Sequence, residues 1–241
     1  MKNGNRFYIL EMSETPIAHR GLWGDNIPEN SLSAYENAKE NGFPIEIDLY
    51  KTKNGEIFSV HDRNLLRLTG RDMDICAAQS DAVKDLFIGN SKEKIPTLKQ
   101  TLDIIDGKVP ILIELKNQPD KTVVDSVAEI LSGYKGEIAV QSFNPIFIKR
   151  FKKLSPLSVV GILTTKRYEH IQGEKALNRF IIKRMPLNFL VKPDFISSER
   201  SAFPLKTKLP TLAWTITSQE EYEKVKPFAT NIIFEGFIPK K

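Results

Sequence analysis

Eight short apolar runs, most of them separated by helical patterns, constrain this chain more than any other feature of its sequence. They read "IAH", "PIEIDLYKT", "VPILIELK", "GEIAVQSF", "SVVGILT", "PDFISSE", "TLAWTIT" and "TNIIFEG". Between them lies "SLSAYENAKENG", where Asn30 or Ser31 can cap the helix and Gly42 can close it. The patterns "TLKQTLDII", "KTVVDSVAEILSGY", "NPIFIKRFKKLS", "EKALNRFIIKRM" and "SQEEYEKVKPF" fill later gaps. Eight strands alternating with helices predict an α/β fold, a (β/α)8 TIM barrel spanning residues 1–241 as a single domain. A doubly wound sheet is the alternative, but it needs fewer strands, and the chain has no glycine-rich phosphate fingerprint. One stretch breaks the rhythm. After "DLYKT", Asn54-Gly55 signals a hairpin, and residues 62–97 then run long and irregular. They read as a small insertion after the second strand, seated over one end of the barrel.

Composition narrows the partners. Lys plus Arg is 35 against Asp plus Glu at 30, a net charge of +5. The excess favours an anionic substrate. The basic residues are scattered, so no nucleic-acid footprint forms. The local run "KRFKK" at 149–153 reads as the solvated face of a helix rather than a phosphate or membrane patch. Cys76 is the only cysteine, so no internal disulfide is expected and the residue reads as a small apolar filler. The first residues, "MKNGNRFYILEMSET", lack the apolar core of a signal peptide, and no run of about 18 apolar residues occurs. The expected location is cytoplasmic, without a stable membrane anchor.

Strand periodicity gathers the chemistry. Residues i and i+2 share a face, so Glu46 and Asp48 point together, as do Glu114 and Lys116. Ile45, Ile47, Leu49, Ile113 and Leu115 point the other way, toward helices. Adjacent strands lie about 4.8 Å apart, so three carboxylates converge near the strand ends. Such crowding is costly unless one acid is protonated or a cation is bound. Three carboxylates suit one divalent cation, Mg²⁺ or Ca²⁺. The competing reading is an ion-pair network of Glu46, Asp48 and Glu114 with Arg20 and Lys116. His19 ends the first strand and His61 ends the hairpin arm, so both can reach the acids and form a general acid–base pair. His170 reads as a surface residue. Arg20 and Lys116 supply the positive charge that a phosphoryl group requires. These residues indicate metal-assisted phosphate ester cleavage with two histidines moving protons. Proton abstraction beside a carbonyl stays open at this point.

The ordered segments "AHRG", "PENSLSAY", "IEIDLYKTKNGEIFSVHD", "LLRLTG", "IPTL" and "ILIELK" resemble the glycerophosphodiester phosphodiesterase family from Ile17 to Lys116, and more loosely through "QSFN" and "LAWTIT". The resemblance implies the same barrel, and hydrolysis of a small glycerophosphodiester to sn-glycerol 3-phosphate and an alcohol. It implies a divalent cation on Glu46, Asp48 and Glu114, acid–base chemistry by His19 and His61, and phosphate binding by Arg20 and Lys116. Glu29 and Asn30, in the "PEN" motif, line or brace the site. The route usually assigned to such enzymes passes through a cyclic phosphate, and the alternative, direct attack by water, uses the same residues. Gln141, Phe143 and Trp214 are further candidates, the aromatic pair for the apolar faces of glycerol. Lysophospholipids are the second substrate class implied. The last strand departs from the family pattern, with Glu235 where an aspartate is expected. The stretch 179–191 is more apolar than a plain barrel helix requires.

Overall fold

A computed structural model describes residues 15–165 and 191–240. Its strands are β1 (Ile17–Ala18), β2 (Ile45–Lys51), β3 (Ile57–Ser59), β4 (Ile111–Leu115), β5 (Ile138–Ser142), β6 (Val159–Thr164), β7 (Phe195–Glu199), β8 (Thr211–Ile216) and β9 (Asn231–Phe234). All eight of the runs anticipated from sequence are strands. They pair in parallel, and β1 bonds to both β2 and β9, which closes the barrel. The extra strand, β3, runs antiparallel to the far end of β2 and makes the hairpin that Asn54-Gly55 foretells.

The two faces of each strand do different work. Ile45, Ile47, Leu49, Ile111, Ile113 and Leu115 join the apolar layer under the helices. The opposite faces fill the barrel interior with Ile17, Leu112, Ala139, Val159, Phe195, Leu212 and Ile233. Two residues further along β4 the inward position changes from Leu112 to Glu114. On β5 it changes from Ala139 to Gln141. The barrel is thus apolar toward the strand N-termini and polar at the C-terminal mouth, where sites of this architecture are built.

Gly161 of β6 faces Phe195 of β7 in register. A Cβ on Gly161 would stand 2.3 Å from the Phe195 ring, which is fully buried. Glycine therefore makes the space that the ring fills. Gly161→Ala is expected to destabilise the protein by about 1–3 kcal/mol through overpacking. A urea midpoint equal to wild type would show that the interior yields without cost.

The helices are α1 (Leu32–Glu40), α2 (Leu66–Thr69), α3 (Ser80–Lys84), α4 (Leu98–Ile105), α5 (Val123–Leu131), α6 (Pro145–Leu154) and α7 (Gln219–Val225). Of the two cap candidates for α1, Ser31 accepts from the Ala34 N–H. Asn30 is used elsewhere, in a left-handed conformation with φ 51°. Thr97 and Gln100 form a reciprocal capping box on α4, and Asn144 followed by Pro145 opens α6. On α6, Lys149, Arg150 and Lys153 are exposed, while Lys152 Nζ is engaged by the Lys192 carbonyl at 2.7 Å. The 62–97 stretch carries α2 and α3 and a separate apolar cluster, in which Leu65, Leu68, Ile75 and Val83 pack on Tyr50 and Phe58 of the hairpin. Cys76 is half-buried there, and burial pushes its thiol up to about 11, so it stays protonated. His170, the pattern "EKALNRFIIKRM" and the 179–191 segment up to residue 190 lie outside the described residues. Among those described, no helix is long and apolar enough to cross a membrane.

Candidate active site

The chain leaves β1 through two consecutive left-handed residues, Arg20 (φ 58°) and Gly21 (φ 83°). A left-handed arginine is uncommon and costs energy, about 1–3 kcal/mol. Glycine fits the second position because a Cβ there would lie 2.8 Å from the Ala34 backbone. The turn swings His19 and Arg20 over the barrel mouth and lets the Arg20 N–H donate to Glu46 Oε2 at 3.1 Å. On the other side, the Val60 N–H donates to the Asp48 carbonyl, which prolongs the hairpin past β3 and delivers His61 to the same mouth.

Glu46, Asp48 and Glu114 are buried, and each offers an oxygen within 4.8 Å of the others. Lys116 Nζ reaches Glu114 Oε1 at 3.0 Å and Asp48 Oδ1 at 3.2 Å, and Arg20 Nε stands 3.5 Å from Asp48 Oδ2. The Asn30 amide donates to Asp48 Oδ2 at 3.0 Å and is itself held by the Tyr35 hydroxyl at 2.9 Å. So the ion-pair network weighed above is present, but it serves Asp48 and Glu114. Glu46 receives one backbone N–H and lies 3.9 Å from His19 Nε2.

The protonation balance reflects this. Burial first, then Asp48 and Glu114, push the Glu46 carboxyl well above the usual carboxylate range. Burial also raises Glu114, with Asp48 adding to it against the pull of Lys116. Burial would raise Asp48 too, but Lys116, His61 and Arg20 together hold it well below its ordinary value. Burial works against the Lys116 ammonium, and Asp48 and Glu114 overturn that and raise it. Three carboxylates against two side-chain cations leave a deficit of positive charge at Glu46. A hard divalent cation matches both the all-oxygen donor set and that deficit.

The two imidazoles are held alike. His19 Nδ1 lies 2.6 Å from Glu235 Oε2, and His61 Nδ1 lies 2.6 Å from Asp62 Oδ1. A carboxylate beside Nδ1 accepts the Nδ1–H hydrogen bond, which keeps the proton on that nitrogen and leaves Nε2 as an acceptor. Burial lowers the His19 ring, Arg20 adds to this, and Glu235 opposes it. Burial and Lys116 lower His61 to about 4, against Asp48 and Asp62. Both rings are therefore neutral near pH 7.

A cavity of about 630 Å³ opens between these groups. Its lining includes the polar and charged groups His19, Arg20, Glu46, His61, Glu114 and Lys116 and the apolar Phe143, Leu163, Trp214 and Ile233. Phe143 and Trp214 meet edge to face at 5.9 Å. Gln141 also lines the cavity, 1% exposed, with no partner on its Oε1. Asp48, Glu29 and Asn30 stand behind the wall. Glu29 accepts from Arg20 at 2.9 Å and from Arg67, and Asn30 orients Asp48. Three partners went unread in the sequence: Asp62, Arg67 and Tyr35. Asp62 adjoins His61, and that adjacency was the available signal. Glu235 was read only as a departure, and its contact with His19 follows once β9 is placed beside β1.

The model of the glycerophosphoryl diester phosphodiesterase family matches residues 19–234. YhdW of Bacillus subtilis strain 168, whose name assigns it provisionally to the glycerophosphodiester phosphodiesterases, is 30% identical over 232 residues, 92% of this chain and 93% of its own. A glycerophosphodiester phosphodiesterase of Caldanaerobacter subterraneus is 25% identical, over 89% of this chain and 90% of that relative. Among solved structures, a phosphodiesterase of Oleispira antarctica in complex with the product sn-glycerol-3-phosphate superposes with a TM-score of 0.77 at 22% identity. That match covers 93% of this chain and 94% of the other.

Proposed function

Since the chain belongs to the glycerophosphoryl diester phosphodiesterase family, we propose that it hydrolyses small glycerophosphodiesters to sn-glycerol 3-phosphate and an alcohol, with one divalent cation and two histidines. The observation that carries the reading is the symmetry of the site. Two neutral imidazoles, each held at Nδ1 by a carboxylate, face one cavity lined by Glu46 and Glu114, with Asp48 crowded behind them.

Glu46, Asp48 and Glu114 would hold the cation, which when bound draws charge from a phosphoryl oxygen and neutralises the crowded acids. Arg20 and Lys116 pair with the anionic phosphodiester. Its negative charge offsets the two cations that depress the rings, so one imidazole can be protonated while the other is not. The neutral ring takes the proton of the glycerol 2-hydroxyl as that oxygen attacks phosphorus. The protonated ring gives its proton to the departing alkoxide, and a cyclic phosphate results. In the second half the roles exchange. The ring now neutral takes a proton from water, the water oxygen bonds to phosphorus, and the other ring protonates the released glycerol oxygen. Phe143 and Trp214 supply the apolar face against which the glycerol carbons pack, and Gln141 offers its amide to a substrate oxygen. We place the reaction in the cytoplasm.

The test is release of glycerol 3-phosphate from glycerophosphocholine after EDTA treatment, with Mg²⁺ or Ca²⁺ then restored. Release that EDTA lowers by at least about 100-fold and either ion restores is the expected result. Release unaffected by EDTA would remove the cation from the mechanism. Absence of release with either ion, but release of lysophosphatidic acid from lysophosphatidylcholine, would move the substrate to lysophospholipids.

A further inference from the structure

Arg67 lies on α2, in the 62–97 stretch, and does not itself line the cavity. Its contacts are nonetheless all with groups that hold the site. The Arg67 Nε donates to Asp62 Oδ2. Its two terminal nitrogens donate to Glu29, at 2.5 Å to Oε1 and 3.1 Å to Oε2. The other oxygen of Asp62 is the one on His61 Nδ1, and Glu29 Oε1 also receives the Arg20 guanidinium at 2.9 Å. One guanidinium thus closes a continuous chain, His61–Asp62–Arg67–Glu29–Arg20, that joins an acid–base ring to a phosphate-binding cation.

We propose that Arg67 is a positioning residue, which fixes the tautomer and direction of His61 through Asp62 while holding Glu29 against Arg20. The proposal rests on the reading that His61 exchanges protons with the substrate. A carboxylate tied at one oxygen alone can rotate about its last bond and carry the ring with it. A carboxylate tied at both cannot. Arginine suits the place because its planar fork serves two carboxylates at once, which the single ammonium of lysine does less completely. The Arg67 side chain is 53% exposed, so its ion pairs add little to stability. Orientation is the contribution that survives exposure, because the two carboxylates it grips are themselves 11% and 23% exposed.

The experiment compares wild type with Arg67→Gln, Arg67→Lys, Asp62→Asn and the double variant Arg67→Gln/Asp62→Asn, on glycerophosphocholine with the divalent ion present. Arg67→Gln is expected to lower kcat by about 10- to 100-fold with KM changed less than about threefold. Arg67→Lys should recover much of the loss, and the double variant should be no slower than Asp62→Asn alone. The thermal midpoint should fall by no more than about 4 °C. The chain has three histidines, so ¹⁵N-histidine labelling gives a tractable spectrum. The His61 Nδ1–H resonance should shift or broaden in Arg67→Gln while that of His19 holds. A kcat within twofold of wild type overturns the proposal. So does a loss that adds to that of Asp62→Asn with the His61 resonance unmoved, which would make Arg67 a structural tie only. If wild type releases no glycerol 3-phosphate, the functional reading fails separately, and the ring resonance still decides whether Arg67 positions His61.

Discussion

Replacing His19 by alanine is expected to slow glycerol 3-phosphate release by about 10²- to 10⁴-fold, the usual contribution of a positioned acid or base. The ring is placed for that work from three sides. Its Nδ1 is committed to Glu235, its backbone N–H to the Phe234 carbonyl, and its Nε2 stands 3.9 Å from Glu46. Alanine removes the proton carrier but leaves the carboxylates, Arg20 and Lys116, so KM should stay within a few-fold and the loss should fall on kcat. His61→Ala should cost a similar factor. The two losses should not multiply, because half a proton relay is nearly as poor as none. A His19→Ala protein within tenfold of wild type would sink the acid–base role of this ring.

Lys116→Met should have the largest effect on stability. The ammonium is the group within 3.2 Å of both Asp48 and Glu114, and its removal leaves three buried carboxylates facing Arg20 alone. Breaking a buried pair from one side costs about 3–5 kcal/mol. The pH dependence follows in sign. In the variant the folded-state carboxylates titrate above their unfolded values near 4, so the folded protein binds more protons than the unfolded one between those limits. The variant's deficit in urea midpoint should therefore be greatest at pH 7 and shrink toward pH 5. Added Mg²⁺ or Ca²⁺ should recover more stability in the variant than in wild type. A variant as stable as wild type at pH 7, with or without the ion, would show that Lys116 does not balance the cluster.

The architecture was legible because strand and helix periods alternate, and because Glu46 with Asp48, and Glu114 with Lys116, stand at the spacing of one strand face. A face shared by i and i+2 is a local property, and local properties survive in a sequence. What holds each acid and each ring in place is not local. Asp48 takes its orientation from Asn30, which Tyr35 steadies in turn, and neither dependence has a spacing rule. Arg67 sits 38 positions from Glu29, and only the folded 62–97 stretch brings them together. Glu235 looked like a departure while it was read against a motif. It acquires a partner as soon as β9 is laid beside β1. The choice between a cation site and an ion-pair network was likewise open in the sequence. The structure contains the network, yet leaves Glu46 outside its two side-chain cations.

The contact between His19 and Glu235 spans 216 positions and crosses the seam where the barrel closes. A chain whose β9 has not yet docked on β1 has no seam. Its first ring would turn freely, with no carboxylate to select a tautomer. On the proposed acid–base role of His19, catalytic competence therefore requires that closure. Activity during refolding is then expected to rise with the docking of the last strand on the first, later than the packing of most of the core.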